Sequence, residues 1–542
     1  MKKDSFLKGT IVASAAIIIS KILGVLYVIP FYKIIGENGG VLYSYAYNIY
    51  NLFLNISTAG IPIALSMIIS EYLALDMNDA KERTLTIGKK IIMTFSIISF
   101  LILFLFSEHI AMFMTRNIEG ANPIKDISLV IKTISISLII TPYISVLRGY
   151  LQGHKFISPG AISQVWEQVV RIAVILIGSY LAINVFKTSV PVGVSVALTG
   201  AFFGALVAYI YLRYSINKNK KLFETNNKKD NISNKEITKK IVYYCVPLII
   251  ISVTNDLYNI IDMKLIIKGL YIIGMNANNA EVIASMICTW CPKICMIVSA
   301  ISIGLATSLM PYLISSYTKK DYKKSNEIFN EAASTMLILA LPLTIGIALL
   351  AKEVYFIFYG GSVYGADILT ISIIVSLWLG VLTVMTTTLQ GFKKFKLIII
   401  STVIGLVVNA VLDIPLILLL NKLNFKPYFG TSIATLIGAT ISALIILIYL
   451  KKEIGFSYKL VRRNTKLMIL PLIAMTVVVC LLDYLLPYRP DRIYNGFKCL
   501  IIGLTGAIVY FYILYSTKAL NTIFGKDRVD KILRKFHLKR SN

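Results

Sequence analysis

Residues 163–172, SQVWEQVVRI, place Gln164, Glu167, Gln168 and Arg171 at i, i+3, i+4 and i+7 inside a long apolar run. At 3.6 residues per turn these side chains share one helix face. A carboxylate, two amides and a guanidinium on one stripe suit an anionic ligand, with the acid orienting the base. A single charge at the centre of a lipid-facing helix costs roughly 2.5–3.5 kcal/mol even on the mild insertion scale. The stripe therefore faces protein or water, and two roles stay open: lining a cavity, or tethering helices within one lobe.

Similar patterns recur along the chain. Ser252, Asn255, Asp256 and Asn259 repeat the same spacing, with Asp262 and Lys264 a turn beyond. Ser44, Asn48, Asn51 and Asn55 run at spacings of four, three and four beside Tyr43, Tyr47 and Tyr50. Amides in a membrane helix glue helices together as readily as they line a path, so both readings stand for this stretch. Lys21 lies deep in the first apolar run, and Lys293 follows Pro292 in another. A lone lysine at such a position points to function. Lys21, Arg148, Gln164, Glu167, Arg171, Asn255, Asp262, Lys264 and Lys293 are thus candidate substrate contacts. Tyr27, Asn48, Asn51 and Asn55 are candidate cavity-lining residues.

No catalytic constellation accompanies them. The three histidines, His109, His154 and His537, lie in loops or the tail, and no Walker A sequence is present. Cys288, Cys291 and Cys295 share one helix face without a nearby histidine, which fits small residues packed between helices better than a metal motif. A transporter is expected, with no catalytic residues, metal or cofactor. Its energy source is expected to be the membrane potential or a monovalent ion gradient.

The elements that position these residues follow from composition. The 542 residues are 57% hydrophobic and 15% charged, with a mean hydropathy of +0.75. Apolar runs long enough to cross a bilayer recur from end to end. Fourteen are expected, centred near residues 20, 53, 97, 138, 170, 202, 251, 297, 341, 378, 408, 440, 477 and 506. The formal charge of +28 is concentrated in alternate loops. That asymmetry places both termini in the cytoplasm of a multi-pass cell-membrane protein. It favours anionic lipids as partners and argues against nucleic acid. The basic start (Lys2, Lys3, Lys8) leads into apolar sequence that continues past Lys21 without a small-residue cleavage site, and is expected to be a retained first span.

The chain also repeats itself. STAGIPIALSMIISEYLALDMNDAKE (57–82) matches SIGLATSLMPYLISSYTKKDYKKSNE (302–327), and LRGYLQGHKF (147–156) matches TTTLQGFKKF (386–395). The offsets are about 245 and 238 residues, a copy of six spans. The expected fold is an all-α polytopic membrane protein with two pseudo-symmetric six-helix lobes in parallel repeat, plus a C-terminal helix pair. Its expected parts are an N-terminal lobe over 1–215, a cytoplasmic linker over 216–236 and a C-terminal lobe over 237–450. Two extra spans and a basic amphipathic tail (Val529, Ile532, Leu533, Phe536) fill 451–542. Parallel repeats of this kind occur in transporters that rock about a central site.

FLKGTIVASAAIIISKILGVLYVIPFYKIIGENGG (6–40), YSYAYNIYNLFLNISTAGIPIALS (43–66) and RGYLQGHKFISPGAISQVWEQVVRI (148–172) resemble the SpoVB/YtgP group of polysaccharide-biosynthesis flippases. The resemblance runs through at least residues 6–455. It implies the two-lobed fold of the multidrug/oligosaccharidyl-lipid/polysaccharide exporter superfamily. The group is similar to MurJ-type lipid II flippases, which move undecaprenyl-pyrophosphate-linked peptidoglycan precursor between leaflets. Lys21, in SKILG, falls where those flippases have an arginine in Ser-Arg-x-Leu-Gly. Their further arginines in spans one and two are replaced here by Tyr27 and the uncharged stretch 51–55. The resemblance implies a pyrophosphate-bearing, lipid-linked glycan as substrate, its tail in a groove by spans thirteen and fourteen, and cell-wall synthesis machinery as partner. Lipid II is the first substrate reading. A spore-cortex, capsule or teichoic-type precursor is the second. A cation or drug antiporter is disfavoured by the basic Lys21 and Arg171, and a structural scaffold predicts that the polar stripes are dispensable.

Overall fold

The computed structural model describes residues 16, 19–115, 122–219, 223 and 231–524. The lysines at 2, 3 and 8, residues 220–222 and 224–230 of the linker and the basic amphipathic tail lie outside the described residues. All regular structure among those described is helical. Thirteen helical stretches there are long and apolar enough to cross a membrane. The first, Ile19–Ala74, has 56 residues and is about 84 Å long at the helical rise, far more than one hydrocarbon core of about 30 Å. It breaks at Gly36 (φ +67°) and Gly60 (φ +75°), a backbone region that favours glycine. This stretch holds both spans expected near residues 20 and 53, so thirteen stretches accommodate the fourteen expected spans.

The chain packs as two compact units that divide after Trp290. The first contains α1 (19–26), α2 (Val28–Thr58), α3 (Ile61–Ala74), α4 (Asn78–Leu105), α5 (Ser107–Thr115), α6 (Ile124–Ser135) and α7 (Thr141–Gly153). It continues with α8 (Ile157–Ala173), α9 (Val190–Leu198), α10 (Gly200–Lys218), α11 (Asn234–Ile272) and α12 (Ala277–Ser285), the last followed by a wider π turn over Met286–Trp290. Its core joins Leu65, Ile68 and Ile69 of α3 to Leu147 and Leu151 of α7 and Leu212 of α10. Ile237, Ile241 and Cys245 of α11 pack into the same core. The lobe boundaries expected from the sequence copy, 1–215 and 237–450, describe similarity, whereas packing draws α11 into the first unit.

The second unit contains α13 (Cys291–Thr318), α14 (Tyr322–Leu349), α15 (Ala351–Tyr359), α16 (Gly365–Gly391), α17 (Phe395–Lys422) and α18 (Phe429–Glu453). The extra pair is α19 (Lys459–Leu485) and α20 (Arg492–Ser516), followed by α21 (Ala519–Phe524). Met468, Met475 and Val479 of α19 and Ile502 and Tyr510 of α20 form a core with Ile338 of α14. Polar contacts register the pair: Asn464 donates to Ser334 Oγ at 3.0 Å and Tyr510 to the Ile338 carbonyl at 3.2 Å.

The repeat is written into the backbone. α4 and α14 both have 28 residues, and α5 and α15 both have nine. Left-handed residues end corresponding helices: Asp76 and Lys320, Lys155 and Lys393, Lys187 and Asn424. Around the first two pairs the same carbonyls are satisfied, through Met77 N to Tyr72 O (2.8 Å), Asp321 N to Ser316 O (2.9 Å), Phe156 N to Leu151 O (2.9 Å) and Lys394 N to Leu389 O (2.9 Å). These are six-to-one closures typical of helix C-termini.

One close approach also recurs. A methyl at Gly204 of α10 would stand 2.5 Å from the Glu167 carbonyl oxygen and 3.2 Å from Arg171 Cβ. One at Gly438 of α18 would meet the Gly405 carbonyl and stand 3.3 Å from Asn409 Cβ. Each helix pair needs a residue without a side chain at its crossing, whereas Gly503 of α20 has nothing within 4 Å of an added methyl. Gly204→Ala and Gly438→Ala should each lower the melting temperature in detergent. Gly503→Ala should leave it level or raise it, since alanine exceeds glycine in helix propensity by about 1 kcal/mol.

Candidate functional site

The polar stripe of α8 is anchored at Glu167, where both carboxylate oxygens are used. Arg171 Nη2 donates to Oε1 at 2.8 Å, and Arg148 Nη2, from α7, donates to Oε2 at 2.8 Å. Arg148 Nε also donates to Ser163 Oγ at 3.0 Å, so its fork reads two residues one turn apart on α8. Only 13% of the Glu167 side chain is exposed, against 19% for Arg148 and 26% for Arg171. In this setting the carboxylate separates two cations that would otherwise repel at short range. Arg148 ties α7 to α8 through Glu167, while the Arg171 side chain stays partly exposed and its Nε has no hydrogen-bond partner among the described residues.

Span one lies against this stripe. A methyl on Gly24 would stand 3.3 Å from Gln168 Nε2, so α1 and α8 approach closely there. One turn further, Tyr27 is within electrostatic reach of Arg171. The same register sets Lys21 a turn before Gly24, as Gln164 stands a turn before Gln168. Lys21 is half-buried and has no ion-pair partner among the described residues. Tyr27, Gln168 and Arg171 thus meet where α1 adjoins α8, and Lys21 stands one turn before that approach on α1.

Aromatic and amide groups of α2 extend it. Tyr27 and Tyr43 share a hydroxyl contact at 3.3 Å, and the Tyr43 and Tyr47 rings stack at 5.5 Å. Trp290 packs edge-on to Tyr32 at 4.9 Å and donates its Nε1–H to the Gly40 carbonyl at 3.3 Å. The fit at Gly40 is tight, since a methyl there would stand 3.0 Å from the indole nitrogen. The amides of α2 divide by role. Asn48 donates to Thr289 at 3.0 Å and Asn55 to Asp256 at 2.7 Å, so both act as ties to other helices. Asn51 is half-buried and makes no side-chain hydrogen bond among the described residues.

The other sequence candidates lie elsewhere. Asn255 is exposed and Asp262 is buried, while Lys264 sits over the Phe113 ring of α5. Lys293 is buried in α13 of the second unit. Cys288, Cys291 and Cys295 are all buried free thiols.

Two features of the second unit escaped sequence reasoning. Asp413 of α17 is fully buried, and Asn409, one turn before it, donates toward Asp413 at 3.4 Å and Thr435 of α18 at 3.5 Å. Their spacing of four inside an apolar span was the available signal. The other is an apolar cavity of about 520 Å³ bounded by α13, α14, α15, α19 and α20, with Pro342, Gly346, Phe358, Gly503 and Tyr510 on its walls. Beside the lining residues Val354 and Cys499 in sequence, Lys498 of α20 pairs with Glu353 of α15 at 2.8 Å and with Asp483 of α19 at 2.7 Å.

Helices of this length and apolarity, with charges gathered on internal faces, define a multi-pass membrane protein. Its fold is shared with solved transporters: lipid II flippase MurJ in an inward closed conformation (TM-score 0.60, 18% identity, covering 94% of this chain and 99% of that one) and an inward-facing multidrug-resistance MATE transporter of the MOP superfamily (TM-score 0.62, 14% identity, 82% and 98%). Among curated proteins, the lipid II flippase MurJ of Bacillus subtilis (strain 168) is 32% identical over 96% of this chain and 97% of its own length. The family model for polysaccharide biosynthesis proteins matches residues 6–287. The chain belongs to the polysaccharide biosynthesis protein family.

Because Glu167 holds two partners and Arg171 one, their removal should differ. Breaking one partner from a buried pair costs about 3–5 kcal/mol, and partial exposure here reduces that figure. Glu167→Gln should lower the melting temperature of the detergent-solubilised protein by several degrees, and Arg171→Gln by less. Equal losses would mean that Arg148 does not depend on Glu167.

Proposed function

We propose that this protein is a flippase for a lipid-linked glycan, and that its substrate is the undecaprenyl-pyrophosphate-linked peptidoglycan precursor lipid II. The observation that carries the reading is the pair of cations Lys21 of α1 and Arg171 of α8 within adjoining apolar helices, in a chain similar to a lipid II flippase over nearly its whole length. Pyrophosphate is a dense anion, and a guanidinium held by one carboxylate keeps donors for it. Tyrosines and amides beside the cations suit sugar hydroxyls. The apolar cavity at α19 and α20 suits a polyprenyl tail, which has no use for a polar path. A drug-cation antiporter would need a net acidic face, and this face is net basic.

Both termini lie in the cytoplasm, and the headgroup passes outward by alternating access. The membrane potential or a monovalent cation drives the cycle. A fully buried carboxylate in a membrane span marks a functional position, and Asp413 with Asn409 and Thr435 offers oxygen donors of the hard kind that alkali cations take. The other peptidoglycan-related or capsular headgroups share the pyrophosphate and differ in the sugar, so the cations alone do not choose among them.

Depletion of a bacterium's own lipid II flippase, with this chain supplied in its place, tests the reading. Growth and outer-leaflet lipid II should be restored. Lys21→Ala, Arg171→Ala and Asp413→Asn should each abolish rescue at normal protein level. Failure of the well-expressed wild-type chain to rescue would overturn lipid II as substrate.

A further inference from the structure

The first unit carries a second cationic feature away from the α1–α8 face. Lys89 of α4 stands with its ammonium 5.8 Å from the centre of the Tyr143 ring on α7. The Tyr143 ring is 5.6 Å from that of Tyr209 on α10, and Arg213 follows Tyr209 by one helical turn. The order is cation, ring, ring, cation, running across three helices. Both tyrosines are half-buried and rest on the hydrophobic core, forming a floor. Lys89 and Arg213 repel each other. Neither has an ion-pair partner among the described residues, while Arg83 is paired with Asp79 and Lys240 with Glu71. Glu82, the carboxylate that also acts on Lys89, accepts from Tyr150 at 3.0 Å and pairs with Lys81 at 3.5 Å.

Two unneutralised cations at one slot within membrane-spanning helices call for an anion. The flanks say what kind. Beyond Lys89, one and two turns deeper into α4, Met93 and Ile97 are exposed. On α10, whose chain runs the other way, Ile210 and Phe203 are exposed on the deeper side of Arg213. Exposed apolar side chains therefore lie on the same side of both cations, as acyl chains lie relative to a phosphate in a leaflet.

We propose that the slot formed by Lys89, Tyr143, Tyr209 and Arg213 binds the phosphate of an anionic membrane phospholipid, with its acyl chains along Met93, Ile97, Ile210 and Phe203. The cations neutralise the phosphate, and the tyrosine hydroxyls donate to its oxygens or to the glycerol backbone. The site is separate from the face assigned to the transported headgroup, and it holds whichever glycan is moved.

Native mass spectrometry of the full chain in detergent, titrated with phosphatidylglycerol or phosphatidylcholine, tests this. The wild-type chain should retain one phosphatidylglycerol that the Lys89→Gln/Arg213→Gln variant loses, with affinity roughly thirtyfold weaker at about a tenfold loss per 1.4 kcal/mol and about 1 kcal/mol per cation. Phosphatidylcholine should bind both chains alike. Lys89→Arg/Arg213→Lys should retain the lipid, which separates lost charge from lost fold. Equal retention by the Gln variant would overturn the proposal. So would thermal stabilisation of the lipid-free wild type by inorganic phosphate to the level given by phosphatidylglycerol, which would assign the slot to a soluble anion.

Discussion

The carboxylate of Glu167 is the group on which the polar interior of the first unit depends. It faces two guanidinium groups at 2.8 Å each, one from its own helix and one from α7. Without it, Arg148 and Arg171 would stand as like charges in a medium that screens them poorly. With it, one positive charge remains over the three groups, and that charge is placed beside α1 and the tyrosines of α2. The tie between the helices thus leaves a net positive charge in the same arrangement. Neutralising one arginine fixes the helices, and the excess gives the face its sign.

The two halves share backbone devices and differ in charge. The glycine crossing that seats α10 on Glu167 and Arg171 recurs where α18 meets Gly405 and Asn409, and the left-handed helix ends recur with the same hydrogen bonds. At the equivalent of Arg171 stands Asn409, which turns to Asp413 and Thr435 instead of to an acid and a second arginine. Duplication preserved what holds helices at a fixed distance. The side chains that project from that frame diverged, giving a net basic cluster in one unit and a buried carboxylate in the other.

Much of this was legible in the sequence because membrane helices are written in long apolar runs and their polar faces in a period of 3.6. The spans, the copy of six and the alignment of Gln164, Glu167, Gln168 and Arg171 could all be read that way. What could not be read was partnership across helices. Asn48 and Asn55 look like Asn51 on a helical wheel, yet the first two reach Thr289 and Asp256 and the third reaches no side-chain partner among the described residues. Arg148 gives no local sign that it shares an acid 19 positions away. Lys264 reads as a cavity cation until the Phe113 ring is seen beneath it. The apolar cavity at α19 and α20 is invisible to periodicity, because it is made of residues that differ in no way from those that fill a core.

The central claim is that Arg171, held but not consumed by Glu167, meets the pyrophosphate as it crosses the membrane. Proteoliposomes loaded with a fluorescent undecaprenyl-pyrophosphate-linked disaccharide give the direct measure, as the fraction of dye quenched by an impermeant reductant over time. The wild-type chain should expose the inner-leaflet pool to the quencher, and Arg171→Gln, cooperatively folded at the temperature of the assay, should leave that pool protected. Equal quenching by the two proteins would contradict the account.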